Sequence, residues 1–395
     1  MIWIGIVATL LMTWYAGYLF RCHYYFERLP EVAPTDPAGN NHLKSKEAQI
    51  QDPAEEVLQL LPTVTIIVPA RNEAANIATC LQAIFAQQYP TDRFEVILVN
   101  DHSEDETREI ALAIGQGQSN FQIIDLEEKQ GVAYKKAAVA KGISQAKGEI
   151  ILVTDADCQM GPEWCATMAA AFSPTTGMVS GPVLLDSNSP FEDFQALEFM
   201  GLIAVGAGSI GAGTPNMCNG ANLAYRKQVF EEVGGFSGID QIASGDDELL
   251  MHKIADQTEW EIGFAKDPRA VVRTDALPTW QAFKAQRLRW VSKSTHYEKS
   301  SITWIMVISY LAILGLPILF LLAPFFPVLW PFLVINFSLK VLAEATILRA
   351  AAIFFDKLAL LRWLIPEQIA HVAYVLWVGI AGNRKSYTWK GRTVK

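Results

Sequence analysis

Short apolar runs alternate with helical periodicity through the middle of the chain. VTIIVPA (64–70), FEVILVND (94–101), FQIIDL (121–126) and IILV (150–153) each have strand length and little polar interruption. Between them, NEAANIATCLQAIFAQQ predicts a helix opened by Asn72, and residues 133–146 predict another. SEDE at 103–106 has capping-box spacing, with Ser103 offering its hydroxyl and Glu106 reaching back. Apolar runs that do not alternate are covered on both faces. Repeated alternation of strand and helix therefore predicts an α/β fold with a mainly parallel sheet and helices on both sides.

A longer apolar pattern flanks this region. Residues 2–20 are uncharged and long enough to cross a bilayer at about 1.5 Å per residue. Arg21 and Arg28 come after the run instead of before it, so 1–21 is expected to be a retained anchor with the following chain in the cytoplasm. Residues 22–61, rich in Pro and charge, predict a linker, and 62–298 a cytoplasmic catalytic domain. Residues 302–326 and 327–347 have spanning length and 363–381 is borderline. The region 299–382 is therefore expected to hold transmembrane or interfacial helices, ahead of a basic tail at 383–395. Three spans would put that tail outside, against the positive-inside preference, so one run is expected to be re-entrant or interfacial.

Composition narrows the class. The chain has 395 residues, 51% hydrophobic and 18% charged, which fits a mixed soluble and membrane architecture. A net charge of −9 argues against a nucleic-acid binder with a general basic face. The five cysteines form no C-x-x-C pair, and Cys158 and Cys165 read as core packing in a reducing compartment.

The chemistry is expected at the carboxyl ends of the strands, where open parallel sheets bind ligands. Those ends read PARNE, NDHSED and TDAD. Asp155 and Asp157, one residue apart after a buried run, are either a turn or a hard-cation site in which carboxylates and substrate phosphates share a Mg²⁺ or Mn²⁺ ion. Asp101 either caps the next helix or accepts a hydrogen bond from a base or ribose. Lys135 and Lys136 begin a helix where a diphosphate would meet both a cation and a helix N-terminus; the alternative is a solvated pair. In SGDDELL, Asp246, Asp247 and Glu248 either complement a helix dipole or supply a general base. QRLRW (286–290) puts Gln286, Arg289 and Trp290 on one helix face, as a phosphate and acceptor grip or as an interfacial anchor. GAGSIG (206–211) matches a dinucleotide-loop pattern without its strand and helix context, and is expected to be a mobile loop. Lys340 and Glu344, four apart in an apolar run, would neutralise each other or line a lipid-facing groove.

VPARNE, VNDHSED, KKAAVAKGI, TDAD, NGANLAYRKQVFEEVGGF, GDDELL and QRLRW occur in the order and approximate spacing of family 2 glycosyltransferases, which the chain resembles over about residues 62–295. The membrane-embedded branch, with ceramide glucosyltransferases and hyaluronan, cellulose and poly-N-acetylglucosamine synthases, looks closest. The resemblance implies a GT-A fold, a nucleotide-diphosphate sugar donor (a UDP-sugar foremost), a divalent metal, and inversion at the anomeric carbon. It implies Asp157 as metal ligand, Asp155 on the donor's sugar or ribose, and Ala70, Glu73 and Asp101 near the nucleoside. It further implies Lys135 or Lys136 on the donor, Asp247 as base, and Asn222, Asp246, Gln286, Arg289 and Trp290 toward the diphosphate and acceptor. Asn100 and Ala140 depart from the family pattern, where many members carry Asp and Asn. The expectation is a membrane-anchored inverting transferase in the inner membrane, acting on a lipid or glycan. A small processive polysaccharide synthase, a nucleotidyltransferase, and a non-catalytic nucleotide-sugar-binding regulator are the other readings. The second of these would want a Gly-rich loop after the first strand, which VPARNE does not supply.

Overall fold

A computed structural model describes residues 1–32, 61–126, 134–293, 297, 300–381, 387–389 and 392–394. Most of the expected linker and much of the basic tail lie outside the described residues. The chain divides into two compact units: Met1–Leu29, Leu184–Met217 and Asp275–Lys395 form one, and Pro30–Val183 with Cys218–Thr274 form the other. The segment 184–217 thus groups with the apolar helices, and the stretch 62–298 is not one continuous body.

The second unit is an α/β layer structure. Its strands are β1 (Val64–Ala70), β2 (Phe94–Asn100), β3 (Phe121–Asp125), β4 (Ile150–Val153), β5 (Gln159–Met160) and β6 (Thr176–Ser180). The chain leaves through β7 (Val183–Asp186) and returns for β8 (Leu223–Arg226), β9 (Glu261–Phe264) and β10 (Val272–Asp275). Seven strands form one sheet in the order β3-β2-β1-β4-β8-β6-β9, and β8 alone runs antiparallel to its neighbours. The four apolar runs read from the sequence make its parallel half. Ile67 pairs with Ile97 on one side and Val153 on the other, at the centre of a core that continues into Val99, Val139, Ile143 and Leu250. The helix Ile77–Phe85 buries Ile77, Cys80, Leu81 and Ile84, the one-sided stripe that a 3.6-residue period produces. Because β1 and β2 pair in register through Ala70 and Asn100, their carboxyl ends finish level and their following loops emerge side by side.

Two helix starts differ from expectation. The first helix begins at Ile77 with Asn76 as N-cap; Asn72 instead sits in the preceding turn at φ 51°. The helix Thr107–Ile114 has no side-chain cap, because Ser103 accepts a hydrogen bond from the Asn72 N–H across the loops and Asp105 takes the Thr107 N–H. Contacts between loops have displaced local capping.

The first unit is helical: Ile2–Glu27, Pro190–Gly211, Trp280–Ser292, Ser300–Leu322, Trp330–Phe354 and Leu364–Ala381. Among the described residues, five helical stretches are long and apolar enough to cross a membrane, and Pro190–Gly211 is the most enclosed of them. GAGSIG is no loop; it forms the last turns of that helix. The glycines serve close packing, since a Cβ at Gly208 would lie 2.1 Å from the Cys22 carbonyl oxygen of the N-terminal helix. Lys340 and Glu344 pair at 2.8 Å, fully buried, with Gln368 bonded to both and Tyr15 donating to Glu344. Intrahelical neutralisation and links to neighbouring helices satisfy this cluster.

Candidate active site

The loops after β1 and β2 are laced together. The Ala70 carbonyl accepts the Asp101 N–H at 2.8 Å, the Asn72 side chain accepts the Glu104 N–H, the Glu73 N–H donates to the Thr107 hydroxyl, and the Ala74 N–H donates to Asp105. Buried Arg71 spans both loops, donating to the carbonyls of Asp101 and His102 and to the Glu104 carboxylate. Asp101 is itself buried, its Oδ1 2.9 Å from His102 Nδ1. Asn100 donates to Asp125 and accepts the Ser103 N–H, so the amide at this position bridges strand β3 and the loop as a carboxylate would not. Burial opposes ionisation of Asp125, but the bonds from Asn100 and Arg108 outweigh it and hold its carboxyl below the ordinary range.

The loop after β4 carries the paired carboxylates. Asp157 is exposed and Asp155 half-buried, and the Asp155 carbonyl accepts from the Cys80 thiol at 3.6 Å. The Cys80 thiol is pushed up first by burial and then by the carboxylates of Asp157, Asp155 and Glu73. Cys158 is pushed up by burial and the same two aspartates. Thiols are soft ligands and suit a hard Mg²⁺ or Mn²⁺ ion less well than the neighbouring carboxylates do.

Lys135 joins this loop to the third one. Its ammonium lies 2.6 Å from Asp155 Oδ1 and 3.2 Å from Asp246 Oδ2. Burial draws its pKa down, yet the attraction of Asp155 and Asp246 prevails and holds it above the usual lysine range. Gly245, at φ 80°, makes the left-handed turn that delivers Asp246 and Asp247. Asp247 is the N-cap of the helix Glu248–Gln257; its Oδ1 accepts the Glu248 N–H at 2.7 Å and its Oδ2 the Gly220 N–H at 3.0 Å. These bonds fix the direction of the carboxylate.

The remaining sequence candidates divide. Lys136 turns the other way from Lys135 and donates to the carbonyls of Ile239, Ile242 and Ser244, pinning the approach to the Asp246–Asp247 loop. Asn222 is fully buried, its amide donating to Pro182 and Ala270 and accepting from the Trp164 indole, which ties it to the scaffold beneath the NGAN loop. Gln286, Arg289 and Trp290 lie on the helix Trp280–Ser292 of the first unit, where Trp290 packs against Phe199. Arg71, missed in the sequence, was signalled by a charge set directly after an apolar strand. Arg287, paired with Glu198 and set among Phe283, Trp290 and Tyr374, had only its place one turn after Phe283 to mark it.

Among the described residues, no three His, Cys, Asp or Glu side chains are arranged to close around an ion. The donor set here is two hard carboxylates on one loop. That fits Mg²⁺ or Mn²⁺, which take one or two protein carboxylates and complete their shell with water and substrate phosphate.

Comparison with known proteins decides what these loops belong to. The model described as Glycosyl transferase family 2 matches residues 65–234, and that described as Glycosyl transferase family group 2 matches residues 150–381, more than half of the chain. The chain belongs to glycosyltransferase family 2. Among relatives of this glycosyltransferase, Glycosyltransferase AglE of Haloferax volcanii is 31% identical over 214 residues, covering 52% of this chain and 66% of that one. The poly-beta-1,6-N-acetyl-D-glucosamine synthase of Staphylococcus epidermidis is 26% identical over 236 residues, covering 59% of this chain and 54% of that one. The chain thus spans about half to two thirds of the length of the curated relatives it matches. A solved structure, the mannosyltransferase PcManGT from Pyrobaculum calidifontis in complex with GDP-Man and Mn²⁺, superposes with a TM-score of 0.58 at 20% identity, covering 96% of this chain and 98% of that one. That likeness establishes the GT-A fold.

Proposed function

We propose that this glycosyltransferase is held in the membrane by its apolar helices and moves one sugar, with inversion, from a nucleotide-diphosphate donor to a lipid or glycan acceptor, the catalytic unit facing the cytoplasm. The observation that carries the reading is the Lys135 bridge, which brings Asp155 of the β4 loop and Asp246 of the Asp246–Asp247 loop to one ammonium. Ala70, Glu73 and Asp101 border the nucleoside, Asp155 meets the sugar or ribose, and Lys135 meets the diphosphate. Asp157, with Asp155, would hold a divalent cation, which when bound neutralises charge on the diphosphate. Asp247 takes the proton of the acceptor hydroxyl as its oxygen bonds to the anomeric carbon; the bond to the diphosphate breaks and the electron pair leaves with phosphate. Arg289 and Gln286 have the motif's diphosphate role, Trp290 its acceptor role, and Asp246 supports the acceptor side, while Asn222 braces the NGAN loop from within the scaffold. The bound GDP-Man and Mn²⁺ of the mannosyltransferase support this donor class, and the polymer named for the staphylococcal synthase supports a glycan acceptor.

The test is transfer from a panel of labelled UDP- and GDP-sugars to extracted lipids and glycans in detergent, with Mg²⁺ or Mn²⁺. Asp157→Ala is expected to abolish metal-dependent donor binding. Asp247→Asn is expected to bind donor normally and lose about 100-fold or more in turnover, the usual scale for a general base; undiminished turnover removes Asp247 from that role. A product soluble in organic solvent identifies a lipid acceptor, whereas long water-soluble chains would establish a processive synthase.

A further inference from the structure

Lys135 does more in this fold than a donor-contacting cation needs to do. Its ammonium is already engaged by two carboxylates that belong to different steps of the reaction: Asp155, on the loop that would hold metal and donor, and Asp246, next to the base. A divalent cation drawing on the Asp155 carboxylate competes directly with an ammonium 2.6 Å from one of its oxygens. Asp246, 3.2 Å away on the other side, is the site to which the ammonium can shift without leaving its charge unpaired. The move is short because the backbone is anchored nearby: Lys136, the next residue, is held by three carbonyls of the chain entering the same loop. Gly220 permits the crowding, since a Cβ there would lie 3.2 Å from Lys135 Nζ and 3.3 Å from Asp246 Oδ2.

We propose that Lys135 is an internal counter-cation shared between Asp155 and Asp246, that it competes with the divalent cation for Asp155, and that cation binding shifts it onto Asp246 beside the base. This rests on the reading of the Asp155–Asp157 loop as the metal site. It makes Asp246 a positioning residue that sets cation affinity through Lys135 and is not a metal ligand.

The experiment measures Mn²⁺ binding to the full-length protein in detergent by electron paramagnetic resonance, without nucleotide, in a double-mutant cycle. Lys135→Met is expected to tighten Mn²⁺ binding, and Lys135→Arg, which keeps the bridge, to leave it within about twofold of wild type. Asp246→Asn is expected to weaken binding about threefold or more when Lys135 is present, because the ammonium then rests on Asp155 alone, and to have little effect in the Lys135→Met background. An equal loss in both backgrounds overturns the proposal, since Asp246 would then act on the ion directly or through space. So does a Lys135→Met protein that binds Mn²⁺ no better than wild type. Mn²⁺ binding that survives Asp157→Ala unchanged refutes the metal-site reading itself, a distinct result from an additive cycle. Lys135→Gln, a second neutral variant, keeps the cycle readable if the methionine variant folds poorly: weakening by Asp246→Asn that disappears in the glutamine background supports the bridge, and weakening that persists there overturns it.

Discussion

Single side chains in this protein are legible by type and position, but their partners are set by folding. Asn222 shows the difference. It lies in a motif that reads as acceptor-facing, yet its amide is enclosed and bonded to Pro182, Ala270 and Trp164. Asn222→Ala takes that partner from the buried Ala270 carbonyl and Trp164 indole N–H, while the Pro182 carbonyl keeps the Val272 N–H, and each group left unsatisfied costs about 1–3 kcal/mol. The expected outcome is loss of stability on the order of 3 kcal/mol in urea denaturation. An Asn222→Ala protein of native stability but poor acceptor use would reverse this assignment. Lys135 and Lys136 make the same point more sharply, since adjacent lysines that look interchangeable in the chain face two carboxylates and three carbonyls respectively. One residue of helix is a rotation of about 100°, so neighbours see different walls.

At the level of elements, the four parallel strands follow directly from apolar runs with both faces covered, and the observed β1–β4 boundaries agree to within a residue with the sequence expectation. Helix ends were less legible. Asn72, Ser103 and Glu106 carry capping chemistry, but the two loops use that chemistry on each other. The terminal turns of Pro190–Gly211 were misread for a related reason, because glycine weakens a helix in isolation and its compensation lies in a neighbouring helix. Gly208→Ala is expected to destabilise the helical unit by about 1–3 kcal/mol, the range for overpacking, because the clash is with Cys22 backbone. Gly201→Ala, which would meet only the end of the Leu348 side chain at 3.0 Å, is expected to be milder. Thermal unfolding of the two variants side by side checks the order.

For the whole molecule, acid sensitivity and membrane association are the tests. In the α/β unit, three described carboxyls are held below their ordinary pKa. Burial is the largest single influence on each and raises it, but is outweighed by the bonds from Thr107 and the Ala74 N–H at Asp105, from Asn100 and Arg108 at Asp125, and from Arg269 at Asp267. A depressed folded value stabilises the native state above the unfolded pKa of about 3.8, and that stability is lost as pH falls through the folded values. Stability is therefore expected to fall progressively as the pH drops through the unfolded value of about 3.8 toward the lower folded values. Asp105→Asn should flatten part of that fall, because Asp105 ties the β1 loop to the β2 loop; an unchanged acid profile argues against the lacing. The five long apolar helices lead to the expectation that an alkaline carbonate wash, which strips peripheral proteins, leaves the chain in the membrane fraction. Release into the wash would count against membrane anchoring.

The amino-acid sequence by itself determined the parallel half of the sheet, the apolar helices and the identity of the carboxylates, because burial period and residue chemistry are local properties of the chain. It also carried the family, through motifs whose order survives where identity is low. Only the tertiary structure decided that residues 184–217 group with the apolar helices, that Asn222 is scaffold, and that one lysine bridges Asp155 and Asp246. Those outcomes depend on which surfaces meet across tens of residues, and on the need of each buried polar atom to find a partner there.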